Sequence, residues 1–199
     1  MQQIMLLYDH LSDYEVLNRM NGGNTYCYEV LVRRHARLLY RIARIFNLEA
    51  TVSESLTEEV FVETYQARAQ LKSANSYRYS LAQRMIDHCK ELHQQGFGQE
   101  DEEVQVSVLS DKLNVLEQAI DVLPYSLKAP VVLCALESFS TEDAAKLLGI
   151  KEDVVDARLK LANSRMRGRL LKWYHAEDVF SCDSHCTDRI AEGVMARIA

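Results

Sequence analysis

The stretch FSTEDAAKLLGIKEDVVDARLKLANSRMR, residues 139–167, constrains the fold more than any other part of this chain. Ser140 stands where a helix N-cap belongs. Asp143, three positions on, occupies the capping-box site usually held by Glu or Gln. Ala144, Ala145, Leu147 and Leu148 supply the apolar side of a short helix. Gly149 follows where a left-handed residue can stop it. Ile150 opens a short turn, and Val154, Val155, Leu159 and Ala162 restart a helical period. The second helix carries Arg158, Lys160, Arg165, Arg167, Arg169 and Lys172. A short capped helix, a tight turn and a longer basic helix make a helix-turn-helix, which lays its second helix in a major groove. The pattern points to DNA and away from catalysis.

Seven Gly and two Pro in 199 residues favour helices joined by short turns. The 48 % hydrophobic and 26 % charged content is that of a foldable globular chain. No run approaches the ~18 apolar residues a membrane span requires. The opening MQQIMLLYDH lacks a basic n-region and a small-residue cleavage site, so no signal peptide is expected. The expected location is cytoplasmic, with the five Cys reduced. A formal charge of −6 sits badly with a DNA binder, but it is unevenly spread. Residues 1–94 are neutral, 95–112 carry −4, 113–174 carry +1 and 175–199 carry −3. The acid lies away from the basic helix. Phosphate neutralisation supplies most DNA affinity, so the free chain should bind DNA weakly and salt-sensitively, with a partner supplying the rest.

The periodicity predicts an all-α chain of two small bundles. In the first, residues 1–94, four helices are expected. Leu11 to Met20 is capped by Ser12 and ended by Asn21-Gly22-Gly23-Asn24. Tyr26 to Phe46 has Leu31, Leu38, Ile42 and Ile45 on one side and Arg33, Arg34, Arg37, Arg41 and Arg44 on the other. Ser53 to Leu71 aligns Leu56, Val60, Thr64, Ala67 and Leu71, and Tyr77 to His93 aligns Tyr77, Leu81, Met85, His88 and Leu92. Residues 95–112, with two Gly and a run of four acids, read as a flexible acidic linker. The second bundle, 113–174, reads as Leu113 to Leu123, Pro124, Ser126 to Phe139 and the helix-turn-helix. Residues 175–199 form an appendix. Its amphipathic run Ile190, Val194 and Ile198 predicts a short helix that docks on a domain or partner.

The appendix also gathers His175, Cys182, His185 and Cys186, residue types that can hold zinc. The spacing H-x6-C-x2-H-C is uncommon, and adjacent ligands strain tetrahedral closure. The tail is therefore read as metal-free, with zinc or a Cys182–Cys186 redox pair as the competing readings. Cys27, Cys89 and Cys134 fall inside helical patterns as small core residues. No glycine-rich phosphate loop, Ser/His/Asp arrangement or paired catalytic carboxylates stand out, so neither an enzyme nor a cofactor is expected.

Two bundles joined by an acidic linker, the second ending in a helix-turn-helix, resemble the bacterial extracytoplasmic-function (ECF) sigma factors over roughly residues 11–93 and 113–172. The carrying segments are LVRRHARLLYRIARIF, SESLTEEVFVETYQA, MIDHCKEL and AIDVLPYSLKAPVVLCALESFSTEDAAKLLGIKEDVVDARLKLANSRMR. Each is weak alone, but in this order and spacing they are specific. The resemblance implies a dissociable promoter-specificity subunit of RNA polymerase. Its first domain would dock on the polymerase clamp and melt the minus-ten element. Its second would read the minus-thirty-five element and touch the flap.

Carried onto this chain, Leu56, Glu58, Glu59, Val60 and Phe61 lie in the clamp-docking segment. Tyr77, Arg78, Tyr79 and Arg84 lie where the melting surface belongs, and Val154, Ala157, Arg158, Lys160 and Arg165 lie on the recognition helix. Stacking aromatics with interleaved Arg can hold unstacked bases. Tyr77 also falls on the apolar stripe of its helix, which leaves core packing as its other reading. The chain departs from the family pattern in several places. Val52 and Ser55 replace an aspartate pair, Glu58 replaces Gln, and the melting-region Trp is absent. Asp156 stands where Lys is common, and Leu161 and Asn163 replace Arg. Two function classes follow: a transcription initiation factor, or a sigma-like protein acting through protein contacts such as occupying an anti-sigma factor.

Overall fold

The computed structural model describes residues 8, 10–68, 74–94, 119–167 and 182–198. Every regular element among them is helical, so the chain is all-α. In chain order the main α-helices are α1 (Asp13–Asn21), α2 (Tyr28–Ile45), α3 (Ala50–Gln66), α4 (Ala74–Gln94), α5 (Tyr125–Pro130), α6 (Thr141–Leu148), α7 (Glu152–Arg167) and α8 (Ser184–Ile198), with a 3-10 turn at Thr25–Cys27 before α2. The expected linker at 95–112, Leu71, residues 113–118 of the helix expected from Leu113, and Arg169, Lys172 and His175 lie outside the described residues. No described helix is long and apolar enough to cross a membrane. The chain divides into two compact units. One comprises Met1–Tyr40, Glu49–His88 and Cys182–Ala199; the other comprises Arg41–Leu48 and Cys89–Ser181.

The first unit is a bundle tied by hydrogen bonds both within and between its helices. At the start of α1, Ser12 N–H donates to the Glu15 carboxylate at 2.8 Å and Glu15 N–H donates to Ser12 Oγ at 3.4 Å, a capping box. On α3 the inward stripe is Leu56, Thr57, Val60, Phe61 and Thr64. Its two threonine hydroxyls donate to carbonyls one turn back, Thr57 to Ser53 and Thr64 to Val60, each at 2.7 Å. Tyr77, Leu81 and Met85 of α4 are fully buried. Tyr28 O–H donates to the Phe61 carbonyl at 2.7 Å, and Tyr77 O–H reaches Tyr28 Oη at 3.4 Å. Asp13 holds both His35 (2.6 Å) and Arg34 (2.8 Å), tying α1 to α2.

The tail adds a further element to this unit. Helix α8 packs on α3, with Ile190, Ala191 and Val194 buried and Ile198 half-buried.

In the second unit α5 contains Pro130, which lacks the N–H that an unbroken α-helix would use. The chain continues as a π-helical turn over Val131–Leu136, closed by Glu137 N–H on the Val132 carbonyl at 3.0 Å. This replaces the regular helix expected from Ser126 to Phe139. Buried charges in the unit are paired: Arg41 donates to Glu137 at 2.7 Å, and Lys128 donates to Asn47 at 2.7 Å and to Asp121 at 3.3 Å. The rings of Phe46 and Tyr125 pack 4.8 Å apart.

Candidate nucleic-acid interface

Helices α6 and α7 form the expected helix-turn-helix, and the local chemistry accounts for each boundary. Ser140 Oγ accepts Asp143 N–H at 3.0 Å and in turn donates to the Asp143 carboxylate at 2.8 Å. Removing this cap by Ser140→Ala should destabilise the second unit by about 1 kcal/mol, read from its urea midpoint. Gly149 stops α6 at φ 69°, ψ 32°. Ile150 N–H then reaches the Ala145 carbonyl at 3.0 Å and Gly149 N–H the Lys146 carbonyl at 3.3 Å, the paired bonds of a Schellman stop. Thr141 O–H donates to Glu152 at 2.6 Å, strapping the start of α6 to the start of α7.

On α7, Val155, Ala162 and Met166 face inward. The outward face carries Asp156, Ala157, Lys160, Leu161, Asn163, Ser164 and Arg165, all exposed. Val154 and Arg158 are half-buried at its margin. The charge of Arg158 reaches Tyr125: burial pushes the Tyr125 hydroxyl up to about 12, a neighbouring Cys89 adds to this, and Arg158 opposes it. Arg158 therefore lies on the flank of the helix, while Lys160 stands at the centre of the exposed face. Asp156 and the exposed Leu161 interrupt what would otherwise be a basic surface.

The structure does not bring the other candidate residues together in the same way. Tyr77 is 0 % exposed, packed edge-on against His35 with ring centroids 5.5 Å apart. A ring sealed in the core cannot stack on a base, so Tyr77 leaves the melting surface. Arg78 and Tyr79 are half-buried and remain accessible on α4. Arg84 is also half-buried and lies 3.7 Å from Glu63, which additionally holds His88 at 2.9 Å, so its charge is partly matched already.

The docking segment needs a similar correction. Leu56, Val60 and Phe61 point into the bundle and are buried, Phe61 and Val60 completely. Their role there is to hold α3 in place. Glu59 is exposed, whereas Glu58 is half-buried beneath α8. Burial pushes the Glu58 carboxyl above its ordinary range, Arg197 pulls it down and Glu54 pushes it up. The contacts of α8 with Glu54 and Glu58 went unforeseen. The apolar period of the tail signals that a partner surface exists but carries no information on where it lies.

In the tail, Cys182 and Cys186 are buried free thiols with sulfurs 2.6 Å apart, and His185 is exposed. Burial, and then the Cys182 contact, push the Cys186 thiol well up. Among the described residues no three His, Cys, Asp or Glu side chains gather as a metal site, and His175 lies outside them.

Comparisons with known proteins find similar sequences and a similar fold. The family model for sigma-70, region 4, matches residues 113–166. The ECF RNA polymerase sigma factor SigM of Mycobacterium tuberculosis is 26 % identical over 173 residues, covering 80 % of this chain and 85 % of the relative. The ECF RNA polymerase sigma factor SigE of Mycolicibacterium smegmatis is 24 % identical over 159 residues, 73 % of this chain and 62 % of the relative. Among solved structures, CnrH in complex with the cytosolic domain of CnrY aligns with a TM-score of 0.58 at 19 % identity, covering 77 % of this chain and 93 % of that one.

Proposed function

We propose that this chain, which belongs to the ECF sigma factor family, directs core RNA polymerase to specific promoters and starts transcription there. The observation that carries the reading is the helix-turn-helix itself. Its cap and stop are satisfied, its second helix presents Lys160 and Arg165 to solvent, and it falls within the span matching sigma-70 region 4. A cation on the exposed face of such a helix meets phosphate or guanine. The first unit would meet the polymerase clamp through the outer face of α3 around Glu59, and unstacked promoter bases through Tyr79 and Arg78. Holoenzyme supplies the remaining affinity that a chain of net charge −6 lacks.

Run-off transcription with core polymerase tests the reading. Arg158→Ala should lower promoter-specific transcripts by about tenfold to a hundredfold, the worth of one bidentate base contact. Asp156→Lys should raise DNA affinity broadly by adding a phosphate partner. Glu59→Arg should weaken co-purification with core polymerase, because it reverses charge on an exposed docking face. Full transcription from a protein carrying Arg158→Ala and Lys160→Ala together would reject promoter reading by this helix.

A second reading is favoured by one observation: the outward face of α7 presents Asp156 and a 48 % exposed Leu161, which repel or ignore phosphate. On that reading the chain acts by protein contact, titrating an anti-sigma factor. The structural neighbour CnrH was solved in complex with the cytosolic domain of CnrY, and a protein partner for this chain fits either reading. Titration of an anti-sigma factor with no transcript from any promoter would favour it.

A further inference from the structure

Helix α8 lies along α3 in matched register. Arg189 forks onto Glu54, with Nε at 2.9 Å and Nη2 at 2.6 Å from its two carboxylate oxygens. One turn on, Gly193 sits over Glu58. A Cβ at position 193 would come within 2.5 Å of the Glu58 carboxylate carbon. The charge of Arg197, a further turn along, acts on Glu58. Between these contacts Ile190 and Val194 are fully buried, and Asp188 ties the helix to Arg33 of α2 at 2.5 Å. Glycine inside a helix is about 1 kcal/mol less favourable than alanine. Here its missing side chain lets the tail helix settle onto a carboxylate.

We propose that α8 is a built-in competitor for the polymerase: it occupies in cis the Glu54–Glu58 flank of α3 that core polymerase must take in trans. This rests on reading α3 as the docking helix. The chemistry α8 offers to α3 is what an acidic helix face asks of a docking partner, namely arginines for its carboxylates and small or aliphatic side chains between them. Glu58 and Glu59 are neighbours on α3, yet only Glu59 is left exposed. The free chain therefore shows half of its docking surface, and engagement of the polymerase requires α8 to lift. The Arg189–Glu54 pair is the part of the latch a partner can reach first, because the Arg189 side chain is 58 % exposed and surface ion pairs hold weakly. A surface covered about nine-tenths of the time loses about tenfold in apparent affinity.

The test titrates core polymerase with the full chain and with an Arg189→Glu, Gly193→Leu double variant, following amide exchange of α8 in parallel. Faster exchange in α8 together with about a tenfold gain in polymerase affinity is the expected result. Arg189→Ala, a milder change at an exposed side chain, should move both in the same direction by less. Release of α8 with unchanged affinity overturns the proposal. So does a loss of affinity, which would make α8 part of the docking surface, and so does an α8 that stays protected in the double variant. Glu59→Arg in both backgrounds separates the proposal from its premise. If it weakens binding in each, the docking reading stands whatever α8 does; if it weakens binding in neither, the docking reading has failed and the proposal falls with it.

Discussion

Tyr77→Ala should destabilise the first unit by about 3–5 kcal/mol, the loss that follows removal of a large aromatic from a packed core. The side chain is fully buried, its ring meets His35 edge-on, and its hydroxyl lies 3.4 Å from that of Tyr28. That second tyrosine donates onward to the Phe61 carbonyl, so the cavity would open beside α3 as well as within α4. Tyr77→Phe keeps the ring and gives up only the long hydroxyl contact, and should lose about 1 kcal/mol or less. Tyr79→Ala, at a half-buried position, should also change stability by about 1 kcal/mol or less while lowering open-complex formation. Urea titrations of the three variants, alongside permanganate footprinting of melted promoter, separate the roles. A Tyr77→Ala chain that keeps wild-type stability and loses only melting would return this residue to the DNA surface.

The tyrosine pair marks where reading by pattern reaches its limit. Ser140, Asp143 and Gly149 were legible because a cap and a Schellman stop are made within six residues, and the structure satisfies them with the bonds those residue types can make. Tyr77-Arg78-Tyr79 carried two patterns at once, an aromatic–arginine motif and an apolar stripe. Only the packing of α4 against α2 decides between them, and it selects the stripe. Leu56, Val60 and Phe61 posed the same problem, since a segment can belong to a docking helix while its apolar members serve the core. The tail showed a period of four from Ile190 to Val194, and the helix is there, but its seat on Glu54 and Glu58 depends on a surface more than a hundred residues earlier. The π-turn after Pro130 was legible only as a proline in a helical stretch, because the size of the disruption depends on which carbonyls can still find donors.

Arg41 is the other residue whose surroundings the helical pattern could not reveal, and it supports the second large prediction. It sits on the arginine-bearing side of α2, yet its side chain is 2 % exposed, paired at 2.7 Å with a Glu137 that is 96 residues away and 9 % exposed. Two buried opposite charges offset part of each other's desolvation, so removing one takes away a 2.7 Å charge-assisted contact from the other. Glu137→Ala should therefore destabilise the second unit by about 3 kcal/mol or more, seen as a lower urea midpoint with an unchanged slope. Glu137→Gln keeps an acceptor and should fall between this and the wild type. Replacing both partners together, Arg41→Met with Glu137→Leu, removes the two charges at once and should recover most of the loss. A double variant as unstable as Glu137→Ala would mean that the contact is held by its shape and not its charge. Recovery would mark the pair as an electrostatic constraint on how the end of α2 joins the turn that leads into the helix-turn-helix.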